Sequence, residues 1–180
     1  KQDIQLLTEL GADGFVFGVL DEHGNVDEVA CERLLKAAGN KPCTFHRAFD
    51  ACASPAETVE QLLALGVQRL LSNGTPWQQQ QSITQGVRQL ATLQQYIAGR
   101  LMLVAGGGVT LANLPQLQQT LHDNAQLCWH LHSAVLTEGK VDSARLEQLK
   151  HCLAKQAMPN HQPGPNPLQE PNQQQGEPHA

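Results

Sequence analysis

The chain has 180 residues, 41% hydrophobic and 16% charged, with a formal net charge of −5. These are the proportions of one water-soluble domain. Its 12 Lys and Arg are scattered along the sequence. That excludes duplex nucleic acid or an anionic membrane as the main partner, since both demand clustered positive charge.

No run nears the ~18 consecutive apolar residues of a membrane span, and no basic segment followed by an apolar run marks a secretory signal. The first residue is Lys1 and the chain opens directly on a helical pattern, so the sequence is expected to be a piece lacking its natural N-terminus. The five cysteines, Cys31, Cys43, Cys52, Cys128 and Cys152, are irregularly spaced and contain no C-x-x-C. This points to reduced thiols in a cytoplasm, and against a disulfide framework or half of a zinc ribbon.

In chain order, Ile4, Leu6, Leu7 and Leu10 predict a first helix, stopped by Gly11. The apolar run at 14–20 predicts a strand buried on both faces. Asp27 is placed to cap a helix that runs to Ala38 and ends at Gly39. Residues 42–49 form the second predicted strand. Ser54, Pro55 and Glu57 read as an N-cap, a first helical residue and the partner of a capping box. The helix they start ends at Gly66. A strand at 69–74, a glutamine-rich helix bearing Ile83, Val87, Leu90 and Ile97, and a strand at 101–105 follow. Thr110 or Asn113 caps the next helix, with Pro115 tolerable in its first turn. A strand at 128–133 and an amphipathic helix at 142–156 complete the pattern. Residues 1–157 are thus one α/β domain, with strand and helix alternating at intervals of roughly 25–30 residues. Residues 158–180, rich in Pro, Gln and Asn, are expected to be a disordered tail in which His161 and His179 are inert.

Polar residues gather at the C-terminal ends of successive strands: Asp21; His46, Arg47 and Asp50; Ser72 and Asn73; Gly106, Gly107 and Gly108; His132 and Ser133. Convergence from several strand ends fits part of a (β/α)8 TIM-type barrel better than an open doubly wound sheet, which concentrates its site at one switch point.

Of these groups, Phe45-His46-Arg47-Ala48-Phe49-Asp50 carries the most chemistry. Strand alternation would put His46 and Asp50 on one face and Arg47 on the other. His46 is then a candidate ligand or acid–base group oriented by Arg47 or Asp50, with His132 as a further candidate. The alternative is an Asp50–Arg47 ion pair with His46 hydrogen-bonded inside the fold. His130 and His132 share a strand face, and with His46 and Cys52 they form the available imidazole and thiol candidates for a metal. Thiolate with imidazole favours Cu(I) or zinc, although a His-x-His pair falls short of the three or four ligands of a good site. Cys43 sits at a strand start and Cys31 and Cys152 on helices, where packing roles are expected. Gly106, Gly107 and Gly108 end a strand before a helix and could cradle an anion. A P-loop pattern is absent, and three glycines can equally serve only as a tight turn. The stretch from Asp21 to Asp27 lacks the acidic spacing of a calcium loop and reads as a polar loop turning at Gly24.

These segments occur together and in order: Gly18-Val19-Leu20-Asp21 with Gly24-Asn25-Val26-Asp27, Thr44-Phe45-His46-Arg47-Ala48-Phe49-Asp50, Arg69-Leu70-Leu71-Ser72-Asn73-Gly74, Ala105-Gly106-Gly107-Gly108-Val109 with Asn113, and His132-Ser133-Ala134. As a set they resemble the CutC copper-homeostasis family over about residues 1–155. The resemblance implies a cytoplasmic (β/α)8 barrel of which strands four to eight are present. It also implies copper homeostasis with Cu(I) as the ion handled, the family's proposed copper cysteines lying in its earlier strands. Asn73 departs from the family's usual Ser or Thr, and the segment between Ser133 and Val141 is shortened. Beside copper stands a second expectation, a barrel enzyme acting on a small anionic or phosphorylated compound at the rim. Two open sheet edges would further favour pairing with another chain, possible as a homo-oligomer.

Overall fold

The computed structural model describes residues 2–121 and 126–154. Five short strands, β1 (Phe15–Phe17), β2 (Cys43–Phe45), β3 (Arg69–Ser72), β4 (Met102–Ala105) and β5 (Leu127–Trp129), form one parallel sheet in the order β1-β2-β3-β4-β5. Spatial order follows chain order, so the sheet has no switch point of the doubly wound kind. Helix α1 (Gln2–Glu9) precedes the sheet, and α2 (Glu28–Ala38), α3 (Pro55–Ala64), α4 (Ile83–Ile97) and α5 (Leu114–Thr120) join successive strands. After β5 come a two-stranded hairpin, β6 (Leu136–Thr137) with β7 (Lys140–Val141), and helix α6 (Ser143–Ala154).

Strand alternation divides the sheet into two unlike faces. Phe45, Leu70, Leu103, Ala105 and Leu127 enter one core with Val59 and Leu62 of α3, Leu90 of α4, and Leu114 and Leu117 of α5. Ile4, Phe15, Ala38 and Cys43 make a smaller cluster under α1 and α2. The other face is aligned by the register pairs Val16–Thr44, Leu71–Val104 and Val104–Cys128. It remains open: Val16 is 63% exposed, Leu71 and Val104 are half-buried, and Cys128 is exposed.

The strands are shorter than their apolar runs. Past the strand ends, side chains and turns satisfy backbone polar groups, as where His46 Nδ1 accepts from the Ala48 N–H. The strand expected at 42–49 stops at Phe45, and Arg47–Ala51 form a 3-10 helix. Asp27 caps α2 as expected, its Oδ1 accepting from the Ala30 N–H at 2.9 Å. Ser54 stands at the N-cap of α3, with Pro55 at the helix start, but its side chain makes no cap hydrogen bond, so the expected capping box is not formed. Its reciprocal half occurs instead at α4, where Gln85 Oε1 accepts from the Ser82 N–H at 2.8 Å. Asn113 begins α5, its Oδ1 accepting from the Thr110 N–H at 2.8 Å. The loop after β1 turns at Gly24 (φ 82°), with Asp21 Oδ1 accepting from the N–H groups of His23 and Asn25. These bonds, led by that of the Asn25 N–H, hold the Asp21 carboxyl below the usual carboxylate range. The tail at 158–180 lies outside the described residues.

Candidate functional site

The site grows from the point where β2 stops. His46 is the N-cap of the 3-10 helix and its Nδ1 accepts from the Ala48 N–H at 3.1 Å. That bond places the proton of neutral His46 on Nε2 and makes Nε2 a donor. The ring lies against Gly18 at the end of β1. A Cβ at Gly18 would come within 2.5 Å of His46 Nδ1, so only glycine leaves room for the imidazole.

One helical turn on from β2, Arg47 and Asp50 stand on the same side, correcting the opposite-face placement that strand alternation implied. Arg47 Nε donates to Asp50 Oδ2 at 2.7 Å, with the aspartate side chain 2% and the arginine 26% exposed. Asp50 Oδ1 also accepts from the Ser72 hydroxyl, and Oδ2 from the Asn73 N–H at 3.3 Å. The buried carboxylate therefore locks Arg47 to the end of β3, as an anchor for the guanidinium and not a free base. The guanidinium lies over the Trp77 ring, 5.0 Å from its centroid.

The glycine segment closes the other side. Gly107 (φ 94°) and Gly108 (φ 97°) adopt left-handed backbone that favours glycine. A Cβ on Gly107 would lie 3.3 Å from Arg47 Nη1 and 2.8 Å from Asn73 Cβ, so the backbone runs directly against the guanidinium. The Gly106 N–H is bonded to the Ser72 carbonyl, which removes it from any anion cradle. The N–H groups of Gly107 and Gly108 have no partner among the described residues. Asn73 is fully buried; its Nδ2 donates to the Gln81 carbonyl and its Oδ1 accepts from Thr75.

A cavity of about 590 Å³ opens here, lined by Leu20, His46, Arg47, Ala48, Ala51, Leu71 and Trp77. Its walls are apolar, with His46 and Arg47 supplying the polar groups. Such a pocket recognises a small molecule through a few directed contacts. The remaining expected site residues are not gathered into it. His130 is exposed at the end of β5, with its ring near Gly106. His132 is exposed at the start of a short 3-10 turn, Ser133–Val135. Cys52 faces a second cavity of about 460 Å³, shared with Asp50, Ser72 and Thr75. Burial pushes its thiol pKa up. Among the described residues no three of His, Cys, Asp or Glu stand close enough together to hold a metal, so His46, His130, His132 and Cys52 do not form one ligand set. Trp77, Leu20 and Leu71 were missed from the sequence. Trp77 is the only aromatic residue at 76–81, between one proline and four glutamines, and that isolation was its one signal.

A parallel α/β protein with a largely apolar pocket that presents His46 and Arg47 at the C-terminal ends of its strands is the class these features define. Within that class the family is shown by comparison: the CutC family profile matches residues 1–128, and the chain belongs to the CutC family. A CutC family protein of Histophilus somni is 43% identical over 117 residues, 65% of this chain and 46% of the relative. One from Bacteroides thetaiotaomicron is 40% identical over 116 residues, 64% of this chain and 45% of the relative. The chain therefore spans about half the length of the curated relatives it matches. A crystal structure of a Streptococcus agalactiae CutC, named for copper homeostasis, is 30% identical with a TM-score of 0.64, covering 71% of this chain and 60% of that one. A structure described as native KDPGal, 16% identical with a TM-score of 0.53 over 85% of this chain and 66% of that one, shares the fold alone.

Proposed function

We propose that the pocket at the strand ends binds a small anionic compound, a phosphate ester or carboxylate, through Arg47. The observation that carries this reading is the position of the guanidinium. It is fixed by a buried carboxylate, backed by Trp77, and set beside Gly107, whose N–H has no partner among the described residues. Arginine in such a frame presents its remaining donors to a planar or tetrahedral anion with little further loss of freedom. His46 Nε2 would donate a further hydrogen bond or transfer a proton, and Leu20, Ala48 and Leu71 would exclude water from one side. His132 has no place in this pocket.

The sheet is read as an arc of a (β/α)8 barrel. The sequential strand order, the helices packed on one face and the open opposite face all support it. So does the partial coverage of longer relatives. Copper handling in the cytoplasm is the second reading, favoured by the name of the Streptococcus agalactiae relative.

Trp77 makes the anion reading measurable. Titration with inorganic phosphate, simple phosphate esters and dicarboxylates should change its fluorescence in a saturable way for at least one of these probes. Losing a charge-assisted contact of about 1.5–3 kcal/mol, Arg47→Ala should weaken binding roughly ten- to hundredfold. Saturable binding unchanged in Arg47→Ala, or none at millimolar probe, would refute it.

A further inference from the structure

The open sheet face carries a second cluster, below the pocket towards the strand starts. Cys128 of β5 and Met102 of β4 lie on this face of adjacent strands, and their sulfurs are 3.3 Å apart. Alternation puts both side chains away from the helix-packed core, whose strand residues here are Leu103, Leu127 and Trp129. Cys128 is exposed and Met102 half-buried, whereas Cys31 and Cys43 are buried. Burial also pushes the thiol pKa of those two cysteines up. Cys128 is thus a solvent-facing thiol that already has a second soft donor in contact.

We infer that Cys128 and Met102 form a two-sulfur binding site for a soft monovalent metal ion of the Cu(I) or Ag(I) kind. Thiolate and thioether together select such ions over hard cations. Binding replaces the thiol proton by the metal: the Cys128 S–H bond breaks, the proton goes to water, the sulfur–metal bond forms, and no oxidation state changes. Two sulfur–metal bonds of about 2.3 Å each need sulfurs no more than about 4.6 Å apart. Met102 reaches that spacing by turning its flexible side chain about an ångström outward. Charge favours a monovalent ion as well. One thiolate neutralises it on a face shared with Leu71 and Val104, while a divalent ion would leave a net positive charge. Arg69, the register neighbour of Met102 on that face, would oppose this charge further. His130 follows β5, two residues beyond Cys128, with its ring near Gly106.

The site gives the copper reading a place in the fold and rests on that reading only for the choice of metal. The test titrates the reduced 180-residue chain with Cu(I) against a chromophoric Cu(I) chelator. Cysteine alkylation and mass mapping are run alongside. The expected result is one Cu(I) retained per chain, with Cys128 selectively protected from alkylation. Binding should weaken about tenfold in Met102→Leu and about a hundredfold in Cys128→Ser. Both substitutions are on a half-open face, and circular dichroism should show unchanged helix content. Retained Cu(I) with undiminished affinity in both variants would overturn this site and leave copper handling standing. Loss of all Cu(I) from the unaltered chain to the chelator would overturn both.

Discussion

Asp50 is the residue on which the pocket turns, because it is buried, charged and the acceptor of hydrogen bonds from Arg47, Ser72 and Asn73. An amide cannot replace it, since one end of the amide must face a donor. Asp50→Asn should therefore cost about 2–4 kcal/mol of stability, as expected for breaking a buried charge-assisted network, read from chemical denaturation. It should also weaken anion binding by freeing the guanidinium. Unchanged stability would mean that the network adds nothing beyond shape. His46 poses a different constraint. Its ring needs the space that Gly18 leaves, so the strand that precedes it in the sheet shapes the pocket without contributing a polar side chain. These contacts were only partly legible. The segment Phe45 to Asp50 announced its chemistry by placing His, Arg and Asp after an apolar strand, and an Arg47–Asp50 pair was one of its readings. The face on which Arg47 lies was misread, because alternation holds only while the strand lasts. It stops at Phe45.

At the level of elements, β3 and α4 approach unusually closely through a pair of glycines. A Cβ on Gly86 would overlap the Asn73 carbonyl and the Gly74 backbone, and one on Gly74 would overlap the Gly86 carbonyl. Replacing a helical glycine by alanine ordinarily gains up to about 1 kcal/mol. Here Gly86→Ala should reverse that sign and cost about 1–3 kcal/mol through overpacking, lowering the urea midpoint. A raised midpoint would show that the contact relaxes without strain. Helix positions were well marked in the sequence, since Asp27, Pro55 and the apolar spacing of Ile83, Val87 and Leu90 act locally. The capping bond was assigned to the wrong serine. Ser54 and Ser82 both have an acceptor-bearing residue three positions on, and only the three-dimensional approach of the chain decides which pair closes. Met102 and Cys128 were illegible as a pair for the same reason. Neither residue signals the other across the sequence between β4 and β5; only sheet register brings their sulfurs together.

For the whole molecule, the unlike sheet faces and the two edges matter most. Among the described residues β1 pairs only with β2 and β5 only with β4, leaving backbone donors and acceptors on each outer side. Val16 projects from the β1 edge at 63% exposure. Such edges template pairing with other chains, and a lysine on an edge opposes it. The 180-residue chain should self-associate as concentration rises, and Val16→Lys should increase the monomer fraction in sedimentation velocity. A strictly monomeric parent chain would show that the edges are protected. The alternation of strand and helix was visible at this scale because each unit writes its own period into the sequence. Whether the units curve into a closed ring is not written locally, since closure depends on strands paired across long separations.

The sequential strand order bears finally on how the pocket comes into being. Asp50 meets Ser72 across only 22 residues of chain, and each further wall joins the one made just before it. Loop closures of this kind lose little entropy and form early. The pocket can therefore assemble from consecutive β/α units as they emerge, well before distant parts of a longer chain must find one another.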